Sequence, residues 1–256
     1  MHFPPVKPLP CTWPRNDSGR DFCLAQVIHC HGTGVNMAEE LTIADIQLPF
    51  LEYRASYKEP ITSIWFGKQQ GDIINALLKA FAPWQVSLEN ITWNQTAKNL
   101  AEAQLTFNLP SLFSSFNVGV GGLTITAINP DWSRAPIFVS VFQTGLDALK
   151  RSIGQDLQGQ QLTLGFHIKP AAKNFRETVS RFVNAKALGS ENAAFFGVSV
   201  YHHDYSYVID GSVSFPGGVF IKLIRNFTAE KRFEEMAAIL YKDEETVLHR
   251  LGLKLK

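Results

Sequence analysis

Apolar residues at helical spacing mark one segment of the first half of the chain. Ile74, Leu77, Leu78 and Phe81 fall at i, i+3, i+4 and i+7 and make a single apolar face. The stretch before them, Ile61 to Phe66, has the composition of a strand and is followed by a turn. The same order of strand, turn and helix recurs in "APIFVSVFQTGLDALKRSIGQDL", with a strand over Ile137 to Phe142 and a helix carrying Leu146, Leu149 and Ile153. Strand-like runs follow each unit. They are "VSLENITW", "AQLTFNL" and "GLTITAI" in the first half, and "QLTLGFHIK", "FFGVSVYHHDYSYVI" and "GGVFIKLI" in the second. "NVGVGGLTIT" reads as strand, turn, strand, and "SFPGGVFI" as a hairpin connection turning at Pro216 and Gly217-Gly218.

The second half adds helices. "FRETVSRFV" sets Phe175, Val179 and Phe182 on one side. Thr228 is a candidate N-cap with Glu230 in the first turn, ahead of a stripe of Phe233, Met236, Ala237 and Leu240. Asp243 is placed as the cap of a last short helix that runs through Leu251 and stops at Gly252. Strands outnumber helices and most alternate apolar with polar residues. The pattern predicts an α+β fold, with a mostly antiparallel sheet and helices packed on one face. Two similar β-α-β-rich halves, 21–133 and 134–256, join near Asn129 to Pro136 in one compact unit. Residues 1–20, with five prolines, form an extended arm whose Pro5 to Pro8 fits a P-x-x-P ligand pattern.

Composition adjusts this picture only slightly. Of 256 residues, 45% are hydrophobic and 18% charged, and 19 Phe and 5 Trp supply large rings for a core. Lys plus Arg number 24 against 23 Asp plus Glu, with no basic block, so nucleic acid is set aside as a partner. No apolar run is long enough for a membrane helix and the start lacks the form of a signal peptide, so the expected location is cytoplasmic, with no membrane partner. The three cysteines, Cys11, Cys23 and Cys30, fit a reducing compartment.

The densest chemistry lies in "YHHDYSYVID", residues 201 to 210. Read as one extended strand with a bend at "HHD", it sets Tyr201, His203, Tyr205 and Tyr207 on one face as a ligand-binding wall, each ring with a polar tip. His202 and Asp204 fall on the other face. With a distant histidine, His249 or else His167, they make a two-His, one-carboxylate set suited to iron or zinc. A second zinc candidate is His29, Cys30 and His31 with Cys23 or Cys11. No nucleophile elbow, dinucleotide fingerprint or P-loop is present, and no motif names a family. The reading that follows is a soluble, non-catalytic binding protein without cofactor. It presents an aromatic, polar-tipped sheet face to a small ligand or a protein, self-association into a homo-oligomer being one form of the latter. The alternative is a metal-dependent enzyme using His202, Asp204 and a third histidine.

Overall fold

A computed structural model of the chain describes residues 42–65, 68–94, 99, 102–130, 135–154, 156–169 and 197–255. The proline arm, the cysteines, the His29-Cys30-His31 group and the predicted helix at 175–183 lie outside the described residues. Chain order gives β1 (Thr42–Ile43), β2 (Ile46–Tyr57), α1 (Lys68–Phe81), β3 (Ile91–Trp93), β4 (Gln104–Leu109), β5 (Ser114–Gly119) and β6 (Gly122–Ile128). There follow α2 (Ala135–Ile153), β7 (Leu157–Ile168), β8 (Val198–Tyr201), β9 (Tyr205–Gly211), β10 (Val219–Phe227), α3 (Phe233–Arg250) and β11 (Leu253–Lys254).

Nine strands form one antiparallel sheet in the order β3-β4-β5-β6-β2-β7-β10-β9-β8, while β1 and β11 pair separately in parallel. The fold is α+β, as the sequence pattern predicts. On one side of the centre β4, β5 and β6 run as a meander that ends beside β2. On the other side β8, β9 and β10 do the same beside β7. The two meanders meet in the β2–β7 pair, where Tyr53 faces Leu162.

Alternation then decides what each face of the sheet does. One row crosses the strands from Phe107 through Phe116, Ile125, Tyr53 and Leu162 to Arg225 and Tyr205. The next runs from Ala127 through Leu51, Leu164 and Leu223 to Tyr207 and Val200. The apolar members of these rows belong to the main core, under α1, α2 and α3. The opposite face carries uncharged polar residues over β4 to β6, such as Thr106, whose hydroxyl donates to the Asn117 carbonyl oxygen at 2.6 Å.

The helices reach this core by different means. In α1, Ile73, Leu77 and Phe81 are buried, with Ile74 and Leu78 partly covered. In α2, Phe138, Val141, Phe142, Gly145, Ala148 and Leu149 face inward at i, i+3, i+4, i+7 spacing. That spacing, carried through 19 residues, overrides the strand preference of the Val- and Ile-rich start. Ile137 to Phe142 is therefore helix rather than strand. Thr62–Trp65 is likewise a single 3-10 turn, tied by Ile64 N–H donating to the Ile61 carbonyl at 3.3 Å. At the end of the chain one helix, α3, replaces the two predicted. Its N-cap is Arg232 rather than Thr228, and Asp243 sits mid-helix instead of capping a new one. Gly252, at φ 73°, ends it as expected.

Gly145 is where α2 comes down on α1 and the sheet. A Cβ there would lie 2.6 Å from the Phe81 ring and 3.0 Å from that of Phe116. Gly71, in contrast, has open space around it on the exposed side of α1. Gly145→Ala is expected to destabilise the fold by about 1–3 kcal/mol through overpacking. Gly71→Ala should stabilise by roughly 0.5–1 kcal/mol through helix propensity. Urea unfolding of the two variants checks both signs.

Candidate functional site

The chemistry-rich run is a hairpin, not a strand. Val198–Tyr201 and Tyr205–Gly211 pair antiparallel, with Tyr201 opposite Ser206 and Val200 opposite Tyr207. His202, His203 and Asp204 form the tip, closed by His202 N–H donating to the Tyr205 carbonyl at 2.8 Å. The short polar run turns the chain back on itself, and the predicted single wall divides accordingly. Tyr205 and Tyr207 point to the helix-covered face. Tyr201 lies on the opposite face and is 80% exposed. The His203 side chain is 98% exposed at the tip. The four residues placed on one face by the sequence reading thus do not share one.

Rings nevertheless gather, in a different set. His202 stacks on Tyr205 with ring centroids 4.2 Å apart and planes within 13°. Tyr207 lies 6.1 Å from His202 and 6.4 Å from Tyr205, again nearly parallel. His202 is exposed, Tyr205 half-buried and Tyr207 6% exposed, so the group runs from solvent into the core. The Arg225 guanidinium lies over Tyr205 at 5.3 Å and beside Phe227 at 5.9 Å. Its Nη1 donates to both carboxylate oxygens of Asp243 on α3, at 2.9 and 2.8 Å. At the last residue of α3, the Arg250 guanidinium donates to the Tyr207 hydroxyl at 3.1 Å. That bond is the main cause holding the Arg250 pKa above its usual value.

Arg225, Asp243 and Arg250 were missed as site residues. A signal for the first was present: in "VFIKLIRNF" Arg225 takes the alternate position that Val219, Ile221 and Leu223 fill, which is the core side of the strand. A charge on that side requires a partner. The identity of that partner is set only by where α3 docks.

The proposed metal set does not assemble. Asp204 is engaged by His203, Nδ1 to Oδ1 at 2.6 Å, and this hydrogen bond holds its carboxyl below the usual range. His202 is turned onto Tyr205, and His249 lies in the last turn of α3. The other candidate, His167, lies on the opposite face of the sheet, 4.9 Å from the Phe220 ring and within 2.9 Å of the Ser212 hydroxyl. Burial alone lowers its pKa. Among the described residues no three His, Cys, Asp or Glu side chains converge as a metal would need.

No protein-family model and no curated protein matches this chain. Among solved structures it is similar to a rolling circle replication initiator protein from Geobacillus stearothermophilus, with a TM-score of 0.31 and 9% identity over 80% of this chain and 83% of that one. The setting aside of nucleic acid as a partner class, which rested on net charge and the lack of a basic block in the sequence, is withdrawn. A whole-chain total near zero is silent about how charge is distributed locally. No described helix is long and apolar enough to cross a membrane.

Two outcomes follow from α3. Asp243→Asn leaves Arg225, whose side chain is only 20% exposed, without its counter-charge. The expected loss is about 1–3 kcal/mol in urea unfolding, in the range of a charge-assisted hydrogen bond. Glu244, half-buried beside it, has its carboxyl pushed up to about 7, first by desolvation and then by Glu245. A raised folded-state pKa means the native state binds more protons than the unfolded state between the normal and the raised value. Stability from this group is complete below pH 4.5 and is lost as pH rises through about 7. Glu244→Gln should therefore exceed the parent in Tm by about 2 °C or more at pH 8, with the gap closing by pH 4.5.

Proposed function

We propose that the protein is a non-catalytic binding protein that receives a small ligand bearing a flat ring on the His202 face of the hairpin. The observation that carries this reading is the near-parallel set of His202, Tyr205 and Tyr207, with its outermost ring exposed. A flat ligand finds there a ring whose orientation is already fixed from behind. Little side-chain freedom is lost on binding, which favours affinity. Arg225 and Arg250 hold the tyrosines in place with fixed guanidinium groups. The hairpin tip supplies further polar atoms in the His203–Asp204 pair.

The test is ligand-observed NMR with indole, caffeine and riboflavin as probes. At least one should bind the parent saturably. His202→Ala should weaken that binding roughly three- to tenfold, the worth of one aromatic contact. Because His202 is exposed, its removal should leave the thermal midpoint within about 2 °C of the parent. Absence of binding by all three probes, or equal binding to the variant, would sink the reading.

A further inference from the structure

The face of the sheet away from the helices carries a cluster of rings around His167, near the end of β7. Phe220 of β10 stands opposite His167 in register, with ring centroids 4.9 Å apart. Phe215 meets the imidazole edge-on at 5.9 Å, from the loop of residues 212–218 that joins β9 to β10. The Phe50 ring of β2 crosses Gly165, where a Cβ would collide with it, and lies 6.5 Å from Phe220 with planes within 16°. All four ring residues are half-buried.

One hydroxyl fastens this loop to the strand. Ser212 Oγ accepts the Ser214 N–H at 3.2 Å and the Phe215 N–H at 2.9 Å, and lies 2.9 Å from His167 Nδ1. A hydroxyl has two lone pairs and one proton. The two amides occupy the lone pairs, so the proton is left for Nδ1. That contact requires a bare Nδ1, a neutral ring and a proton on Nε2. An imidazolium would aim an N–H at an oxygen with no lone pair to receive it. Backbone bonds shape the turn itself, Ser212 N–H donating to the Gly218 carbonyl at 2.9 Å and Gly218 N–H to that of Phe215 at 2.8 Å.

The charged groups nearby balance. Lys169 follows on the same strand, its Nζ 5.4 Å from the Phe215 ring. Gln47 of β2 stands opposite His167 and donates its amide to Asp45 at 2.7 Å. Lys222 lies two residues past Phe220 on β10. Asp210 of β9 stands opposite Phe220 and accepts the Gly211 N–H at 2.7 Å. Two lysines thus offset two aspartates, and the loop itself carries no charge. The hydrogen-bond demand for a neutral ring runs in the same direction as its burial.

We propose that Ser212 and His167 form a proton-operated latch: neutral His167 holds loop 212–218 on the sheet, and protonation frees the loop and lifts Phe215 off His167 and Phe220. The latch is separate from the tip at His202 to Asp204 and does not depend on the reading given for it. The folded-state pKa of His167 lies below its ordinary value of 6.5, so the native state binds fewer protons than the unfolded chain as pH falls. The stability that the latch contributes is complete above pH 6.5 and is lost as pH falls through the lowered folded value. Acid thereby uncovers an apolar face that is closed at neutral pH.

NMR of the full chain tests this, through the tautomer of His167 and the amide exchange of Ser214 and Phe215. At about pH 8 the ring should carry its proton on Nε2. Between about pH 8 and pH 5 the protection of both amides, corrected for the intrinsic pH dependence of exchange, should fall about tenfold or more. Ser212→Ala should lose that protection at both pH values and raise the His167 pKa toward its ordinary value, which a purely packing role would not do. His167→Gln keeps an acceptor for the hydroxyl but cannot titrate, so its protection should be the same at both pH values. It also serves if Ser212→Ala does not fold. A proton on Nδ1 at the higher pH, unchanged protection in the parent, or the same acid-induced loss in His167→Gln would overturn the proposal.

Discussion

Two glutamine side chains determine where the last helix begins, and the hairpin site depends on them. Gln160 stands on the central strand β7, where it is 5% exposed, and Gln143 on α2 is 9% exposed. A buried amide is costly unless its donors and acceptor are all met. Gln160 meets them by accepting the Tyr53 hydroxyl's hydrogen bond and by spreading its two N–H donors over three carbonyls of the segment between β10 and α3. Gln143 then accepts the N–H of Phe233, the first residue of α3, at 2.9 Å. That N–H is one of the four that every helix leaves open at its start. Here the cap comes from another helix rather than from a neighbouring Ser or Thr. It is tertiary, and it fixes the helix origin against the core. The Phe233 ring packs edge-on against both Tyr53 and Phe142, which locks the same junction by shape.

From that origin α3 runs over β10 and β9, and its regular rise sets the rest. Asp243 arrives over Arg225 and Arg250 over Tyr207 because they lie ten and seventeen residues beyond Phe233 on a rigid rod. The rings of Tyr205 and Tyr207 are then held from one side by guanidinium groups and from the other by the sheet. His202 rests on this platform from outside. A hairpin tip alone would be a mobile place for recognition. Roots in a helix that is itself anchored to the central strands make it a more exact one.

Much of the architecture was legible in the alternation of single strands. β4, β6 and β10 each carry their buried residues on every second position, all apolar. The pattern was weaker where two demands overlap. β2 escaped notice although Leu51, Tyr53, Ala55 and Tyr57 alternate cleanly. Glu52 and Arg54 pair on the other face at 2.7 Å, and Leu48 and Pro49 break the run with a bulge at φ 46°. α2 reads as a strand over its first six residues because β-branched and aromatic side chains serve either structure. The site divides in the same way. Its tyrosines were visible as a cluster in the sequence, and the turn at His202 to Asp204 was marked as a place for a bend. A bend and a reversal differ, however, only in whether β8 finds β9, and that is decided by a pairing across the turn rather than by any residue in it. Arg225 and Asp243 lie 18 positions apart on different elements, so their meeting has no local signature.

The row structure of the sheet explains why charge is tolerated beneath the hairpin. Along the row that contains Phe107, Phe116, Ile125, Tyr53 and Leu162, the core is apolar or fully paired as far as the centre. The same row ends in Arg225 and then Tyr205 near the outer strand. At the centre a guanidinium would lose its hydration without return. One strand beyond the central pair it retains partial exposure, gains a carboxylate from α3 and lies against two aromatic rings. Polarity therefore rises along a single register line, from packed phenylalanines to a paired cation to an exposed imidazole. The gradient leaves this edge of the sheet firm on its inner side and wet on its outer side, which a uniformly apolar edge would not be.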